Sequence, residues 1–200
     1  KIKSNSPILL YGPSGIGKNY TANFIHMTLS SNNPDTFINM NENLMNESDL
    51  LKFSSLHNYF TIYFNDFEKF NNLELLNYFD LVKNNKINAS IILDSKNPDL
   101  EDIMLKKIDH KFSFKPLMER KNEIMKLFKY YVDAFSQKKF EKIIHIDPSI
   151  ETLLTKHNWP GNVFEVMNLA QNLINNLVSP PEIVKIDLIK EILDNSTANS

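Results

Sequence analysis

Residues 12–18 of the chain read GPSGIGK, and they stand between the apolar run PILLY at residues 7–11 and a stretch of helical spacing from Tyr20. The spacing fits the phosphate-binding pattern G-x-x-x-x-G-K, in the strand-then-helix context that such a loop requires. Glycines let backbone N–H groups face an anion, the helix start adds positive potential, and the lysine reaches the outer phosphates. A glycine turn that only connects two elements is the alternative. The motif assigns nucleotide contacts to Gly12, Pro13, Ser14, Gly15, Ile16, Gly17, Lys18 and the following Asn19.

The pattern of apolar residues around this loop alternates between strand and helix. Strands are predicted at residues 7–11, 36–40, 60–64, 89–93 and 111–114, with helices at residues 20–29 and 73–82. After Pro116 only helical spacing follows, at residues 123–140, 149–156, 163–177 and 187–193. Strands separated by helices are typical of a parallel sheet with crossover connections. We therefore expect an α/β domain over residues 1–117, with helices on both faces of its sheet, and a small all-α domain over residues 118–200.

Composition excludes several classes of function. The net charge of -2 gives no general field that would attract nucleic acid or a membrane surface, and the absence of cysteine excludes disulfides and thiolate metal sites. The five histidines have no metal-ligand spacing, so we predict no metal site and packing or surface roles for them. No apolar run approaches the roughly 20 residues that cross a bilayer. We expect a piece of a longer cytoplasmic protein without membrane contact.

Four segments resemble, in the same order, the central AAA+ domain of sigma-54-dependent transcription activators, a family that includes two-component response regulators. The segments are residues 12–26, residues 37–51, PLMERKNEI at residues 116–124 and NWPGNVFE at residues 158–165. The resemblance implies a P-loop AAA+ sheet followed by a helical lid, with ATP or ADP as the ligand. It leaves open whether Mg²⁺ binds together with the nucleotide. It also implies possible self-association through the AAA+ surface, and DNA contact only through a domain that this chain lacks.

The resemblance also implies an acidic pair for metal binding and water activation after the third strand. The matching residues are Asn65 and Asp66. An amide supplies no charge to a metal, and the aspartate is one methylene shorter than the family's glutamate. Asp66 remains the catalytic candidate in degenerate form, and Asn65 a nucleotide-side contact. The polar sensor after the fourth strand falls at about Asp94 and Ser95. A carboxylate there would repel a γ-phosphate, so either the match is shifted by one residue or the sensor is degraded.

The arginines that the family uses are missing. The two that act on a neighbouring subunit match Glu101, a reversal of charge, and Lys107, which lacks the planar fork of a guanidinium. The family's second sensor arginine matches Phe164. We still expect Phe164 to line the nucleotide site. Arg120 is the single arginine of the chain and matches a structural position of the family. An arginine finger contributes about 10³–10⁵ in rate.

The family's loop that contacts the sigma factor should follow the segment Glu47 to Leu50. Only residues 51–58 stand between that segment and the third strand, and they contain no glycine. We predict that this stretch only joins helix to strand, with Phe53 and Leu56 packed against the domain. Direct contact with sigma-54 is then excluded by geometry.

The sequence favours a nucleotide-binding AAA+ regulatory module of a transcription regulator, without effective hydrolysis. Two alternatives stay open. One is an active ATPase in which Asp66 is the base and Asn65 a weak metal anchor. The other is an oligomerisation or partner-binding domain with no nucleotide.

Overall fold

The computed structural model describes residues 6–40, 45–84, 86–96 and 106–197. It contains two compact units, each described here by itself. The first holds residues 1–13 and 17–114, and the second holds residues 14–16 and 115–200. The main division after Phe114 lies just before the boundary at residue 117 that the sequence predicted. The tip of the glycine loop is grouped with the second unit.

The first unit is built on five parallel strands. In chain order its elements are β1 (Ile8–Tyr11), α1 (Lys18–Leu29), β2 (Phe37–Met40), α2 (Glu47–Leu56), β3 (Phe60–Phe64), α3 (Asn72–Lys83), β4 (Ala89–Ser95) and β5 (His110–Ser113). The order across the sheet is β2-β3-β4-β1-β5, and every neighbouring pair is parallel. The predicted α/β class is confirmed, and β1, which precedes the glycine loop, lies between β4 and β5.

Helices cover both faces of this sheet, because successive side chains of a strand point to opposite faces. Leu10 and Tyr63 share one buried cluster with Ile25 of α1. Leu9 and Phe64, one residue away on the same strands, share the other cluster with residues of α2 and α3. The continuous burial of β3 and β4 follows from cover on both sides.

The stretch that we expected to be a plain connection continues a helix. Helix α2 runs to Leu56, and residues 57–59 lead into β3. Phe53 packs edge-on against Phe60 at 5.2 Å between ring centroids, as predicted. The prediction for Leu56 was wrong, since that residue is 78% exposed. At 3.6 residues per turn, position 56 is rotated by about 120° from the buried Leu50.

The second unit is mainly helical, as predicted. A 3₁₀ turn (Leu117–Arg120) leads into α4 (Lys121–Phe140), and then follow β6 (His145–Ile146), α5 (Ile150–Lys156), α6 (Asn162–Asn176), β7 (Ile183–Val184) and α7 (Ile186–Thr197). The parallel pairing of β6 with β7 departs from the all-α expectation. Strands of two residues are too short for a period-2 pattern to reveal them.

Trp159 anchors the core of the second unit. It is almost fully buried among residues such as Phe128 of α4 and Val166 of α6. Its indole Nε1 donates to the carbonyl of Leu154 at 2.7 Å, which satisfies the one polar atom of the side chain. This bond fixes the chain immediately before α6, and the residues at the start of α6 are those that contact the loop tip.

Candidate phosphate-binding site

Two glycines give the loop after β1 its backbone path. Gly12 has a φ of 151°, and a Cβ on it would lie 2.5 Å from the carbonyl oxygen of Phe114. Its N–H donates to the carbonyl of Ser95 at 3.1 Å, which joins the loop to the end of β4. Gly17 has a φ of 101° and is the residue before α1. Left-handed backbone and a close backbone approach both require glycine at these positions.

The N-terminus of α1 is open. No side chain of the described residues caps this end, and no acidic residue occupies the first turn. The first N–H groups of a helix have no acceptor within the helix, and they carry partial positive charge. The N–H groups at the start of α1 could therefore bind an anion from outside the helix.

The tip of the loop, Ser14 to Ile16, is fixed within the second unit. The Asn162 side-chain amide donates to the carbonyl of Ser14 at 2.9 Å, and the Phe164 N–H donates to the carbonyl of Gly15 at 2.9 Å. Gly15 has a φ of 73°, and a Cβ there would lie 2.2 Å from the carbonyl oxygen of Gly161. Both bonds use carbonyl groups of the tip, so its N–H groups are not consumed by them.

Lys18, the cationic residue of the predicted site, is buried, with 6% of its surface exposed. Its Nζ donates to the carbonyl of Gly12 at 2.7 Å and to that of Pro13 at 3.1 Å. The Oδ1 oxygen of Asp94 lies 3.4 Å from the same nitrogen. The ammonium is thus held under the loop by two carbonyls and one carboxylate.

Asp94 lies at the end of β4, on the sheet face that α1 covers. Its Oδ2 accepts a hydrogen bond from the Tyr63 hydroxyl at 2.7 Å, while its buried Oδ1 has no hydrogen-bond partner among the described residues. Burial raises the pKa of the Asp94 carboxyl above its ordinary range, although the Tyr63 hydroxyl and the Lys18 ammonium act in the opposite direction. Burial and the neighbouring carboxylate likewise raise the pKa of Tyr63.

The predicted acidic pair lies at the end of β3. Asn65 is exposed at the end of β3, and Asp66 has a left-handed φ of 50°. The Oδ2 oxygen of Asp66 lies 3.2 Å from Nζ of Lys69 and 3.6 Å from Nζ of Lys96. The Asp66 carboxylate is therefore paired with two ammonium groups of the first unit.

The other residues that the sequence analysis singled out do not lie together with Lys18 and Asp94 in the first unit. Phe164, of the second unit, is 56% exposed, and Asn19 is exposed on α1. Lys107 lies 2.6 Å from Oδ1 of Asp80 on α3, so its charge is used within the unit. Glu101 lies outside the described residues. Arg120 donates to Glu123 at 2.9 Å in the second unit.

A metal-binding cluster and a membrane-spanning helix are both absent from the described part of the chain. No group of three or more His, Cys, Asp or Glu residues there could hold a metal ion. No helix among those residues is both long and apolar enough to cross a membrane. The fully buried His26 links the Thr61 hydroxyl, at 2.9 Å, to the carbonyl of Asn33, at 2.7 Å. Burial lowers its pKa, as expected of a packing histidine.

The contact of Tyr63 with Asp94 was not predicted from the sequence, and Asp94 was matched to the polar sensor rather than to a partner of Lys18. A signal was available, since Tyr63 pairs with Ile92, and Asp94 lies two residues beyond Ile92 on the same face. A period-2 reading of the two strands therefore places a buried hydroxyl beside a buried carboxylate.

Two family models match the chain. The Sigma-54 interaction domain model matches residues 1–114, and the AAA+ ATPase lid domain model matches residues 118–200. The first covers more than half of the chain, and the division between the two matches agrees with the division between the two compact units.

Individual relatives are similar over parts of the chain. The Regulatory protein AtoC of Escherichia coli strain K12 is 35% identical over 77 residues, 38% of this chain and 16% of its own length. The "Putative uric acid sigma-54-dependent transcriptional regulator UacR" of the same strain is 33% identical over 82 residues, 41% of this chain and 14% of its own length. The chain spans only a small part of these relatives.

Among solved structures, NtrX from Brucella abortus in complex with ADP has a TM-score of 0.72 and 19% identity, covering 96% of this chain and 51% of that one. A RuvB variant from Thermotoga maritima has a TM-score of 0.70 and 12% identity, covering 95% of this chain and 61% of that one. At these identities the likeness concerns the fold, an α/β AAA+ sheet followed by a helical lid.

Proposed function

The chain belongs to the family of sigma-54 interaction domains, and we propose that it is a regulatory module that binds ATP or ADP without effective hydrolysis and without contact with sigma-54. The observation that carries the binding proposal is the open start of α1 behind Gly17, with Lys18 held beneath the loop. Loop N–H groups, an uncapped helix start and a lysine are the parts from which phosphate sites are made. The NtrX structures in complex with ADP and with ATP add support from the fold family.

The residue types and contacts at Asn65 and Asp66, which match the family's acidic pair, support the loss of ATP hydrolysis. Asn65 contributes no charge, and Asp66 is held by Lys69 and Lys96. Phe164 carries no charge for a transferring phosphate. The lost arginine positions alone account for about 10³–10⁵ in rate in enzymes that use them. The described residues that remain could bind and position phosphates, whereas the candidate base Asp66 is paired with two lysines.

Magnesium fits this site less well than nucleotide. Mg²⁺ prefers carboxylate oxygens, phosphates and water in octahedral arrangement. Asn19 and Asn65 supply only amide oxygens, and the Asp66 carboxylate already lies beside two ammonium groups. Any Mg²⁺ would depend mainly on the phosphates for its ligands, so we assign it no step.

A second candidate function is a nucleotide-free interaction domain that keeps only the surfaces of the fold. The observation that favours it is that the Lys18 ammonium already has three oxygen neighbours, from Gly12, Pro13 and Asp94. An incoming phosphate must therefore share or displace one of them.

Two assays on one preparation test the proposal. ADP and ATP should each raise Tm, because a ligand that binds only the folded state stabilises it by mass action. Phosphate release from ATP should stay at the level of a protein-free control. Turnover of about 1 s⁻¹ or faster, abolished by Asp66→Ala, would contradict the loss of hydrolysis. No rise in Tm with either nucleotide favours the nucleotide-free domain.

A further inference from the structure

The Lys18 ammonium has three oxygen neighbours in the first unit, two of which accept hydrogen bonds from it. Two are backbone carbonyls, Gly12 at 2.7 Å and Pro13 at 3.1 Å, and the third is the Asp94 carboxylate at 3.4 Å. An ammonium group has three donors and no more. A phosphate that reaches Lys18 must therefore enter beside Asp94 or displace a carbonyl.

Asp94 is fixed in this position. The residue is 4% exposed, and the hydroxyl of the fully buried Tyr63 donates to its Oδ2 at 2.7 Å. Its Oδ1, which faces Lys18, has no hydrogen bond among the described residues. A carboxylate held by a buried tyrosine cannot swing to solvent when an anion arrives without breaking that bond.

Resting on the nucleotide binding proposed above, we infer that Asp94 makes this site select a nucleoside diphosphate over a nucleoside triphosphate. The P-loop lysine reaches the outermost phosphates of a nucleotide. A phosphate oxygen in contact with Lys18 Nζ lies no farther than about 6 Å from Asp94 Oδ1, given the 3.4 Å between Oδ1 and Nζ. A third phosphate adds negative charge at that distance from Asp94. The Lys18 ammonium, which is already paired with the Asp94 carboxylate, would have to compensate this charge as well.

The repulsion is large enough to decide between nucleotides. At an effective dielectric constant of about 20, two like charges at about 6 Å change a binding constant on the order of a hundred-fold. Solvent, salt and small shifts reduce this, and we expect at least a ten-fold preference for ADP. Lys69 and Lys96 are already paired with the Asp66 carboxylate. The negative charge of a third phosphate would therefore be poorly compensated by these two lysines.

A second acidic group lies at the same edge of the sheet. The Ser95 hydroxyl, next to Asp94, donates to the Glu68 carboxylate. Two carboxylates therefore lie at the end of β4. One belongs to Asp94, and the other belongs to Glu68, which accepts a hydrogen bond from Ser95. The side chain of Ser95 points to the sheet face opposite to that of Asp94, so the repulsion at Lys18 is assigned to Asp94 alone.

The test is calorimetric titration of the whole chain with ADP and with ATP, in EDTA so that no divalent ion bridges the phosphates. Asp94→Asn keeps the shape and the oxygen that accepts from Tyr63, and removes the charge. Asp35→Asn is the matched control, because it removes one exposed carboxylate in the turn before β2. Asp94→Ser removes the same charge with a smaller side chain, in case the Asn variant does not fold.

We expect wild type and Asp35→Asn to bind ADP at least ten-fold more tightly than ATP, and the Asp94 variants to bind the two within about three-fold, mainly through tighter ATP binding. Equal affinity of wild type for both nucleotides overturns the inference and leaves the proposed function standing. A preference that persists without the Asp94 charge also overturns it. Absence of binding of both nucleotides to wild type and to the Asp94 variants overturns the proposed function itself.

Discussion

The ammonium nitrogen of Lys18 lies 3.4 Å from the Oδ1 oxygen of Asp94, and both side chains are almost fully buried. The two residues come from different elements, the start of α1 and the end of β4. Their pairing connects the glycine loop to the sheet edge where the family places its sensor. It also places the lysine that should meet phosphate against a carboxylate of the chain itself.

The Lys18–Asp94 pair should show strong coupling in stability. Lys18→Ala leaves a buried carboxylate without its counter-ion, which costs about 3 kcal/mol of unfolding free energy. Adding Asp94→Asn to Lys18→Ala should recover a large part of this loss, because the uncompensated charge is gone. Urea denaturation of the two single variants and the double variant measures the coupling.

Lys52→Ala is the control for that cycle, since Lys52 and Asp49 form an exposed pair at 3.9 Å. Exposed pairs contribute little, so its stability should barely change. Additive effects of the Lys18 and Asp94 substitutions would show that the two groups do not interact.

The raised pKa of Asp94 predicts a pH-dependent contribution to stability with a definite sign. A carboxyl whose pKa is higher in the folded state stabilises the fold fully below its unfolded pKa of about 3.9. That contribution is lost as the pH rises through the folded pKa. Wild type should therefore gain stability relative to Asp94→Asn as the pH falls from 7 toward about 4. Unfolding free energies of both proteins across this range are the measurement, and a flat or opposite difference contradicts it.

Gly15 should tolerate a side chain much less well than Gly17. Both have positive φ, so an alanine at either costs roughly 1 kcal/mol in backbone strain. A Cβ at Gly15 also meets the carbonyl oxygen of Gly161 at 2.2 Å, whereas a Cβ at Gly17 meets nothing within 4 Å. We expect Gly15→Ala to lower Tm by at least twice as much as Gly17→Ala. Equal losses would mean that the loop tip is not held against Gly161.

The connection between α2 and β3 predicts no contact with sigma-54. Helix α2 ends at Leu56 and β3 begins at Phe60, so residues 57–59 are too few to project a loop. In a pull-down with sigma-54, the chain should retain none of the factor with ATP or ADP present. The corresponding domain of UacR, a sigma-54-dependent regulator by name, is the positive control. Nucleotide-dependent capture of sigma-54 by this chain would place the contact elsewhere on the domain.

The order of elements was predictable from the sequence, because buried strands and amphipathic helices have distinct periods and glycines mark the turns. The β6–β7 pairing was not, since each strand has two residues. The outward position of Leu56 followed from the continuation of α2, which the expected deletion obscured. The loop residues themselves were found from spacing alone.

The pairing inside the candidate site was harder to predict than the residues. A motif names Lys18 but not the acceptors of its ammonium, which depend on strand register. Only the pairing of β3 with β4 puts Tyr63 and Asp94 on one face within reach of each other. The lysines that hold Asp66 come from two loops, and no sequence period connects Lys69 with Lys96.

Titration of the chain with ADP, followed by calorimetry, tests nucleotide binding most directly. We predict saturable one-site binding that Lys18→Ala weakens by more than ten-fold, because a hydrogen bond to a charged group contributes about 1.5–3 kcal/mol. Lys18→Ala with Asp94→Asn serves as a second variant, in which the fold is relieved of the unpaired carboxylate while the lysine is still absent. Heat of binding from neither ADP nor ATP, with a folded wild-type protein, would contradict the proposal that this chain is a nucleotide-binding module.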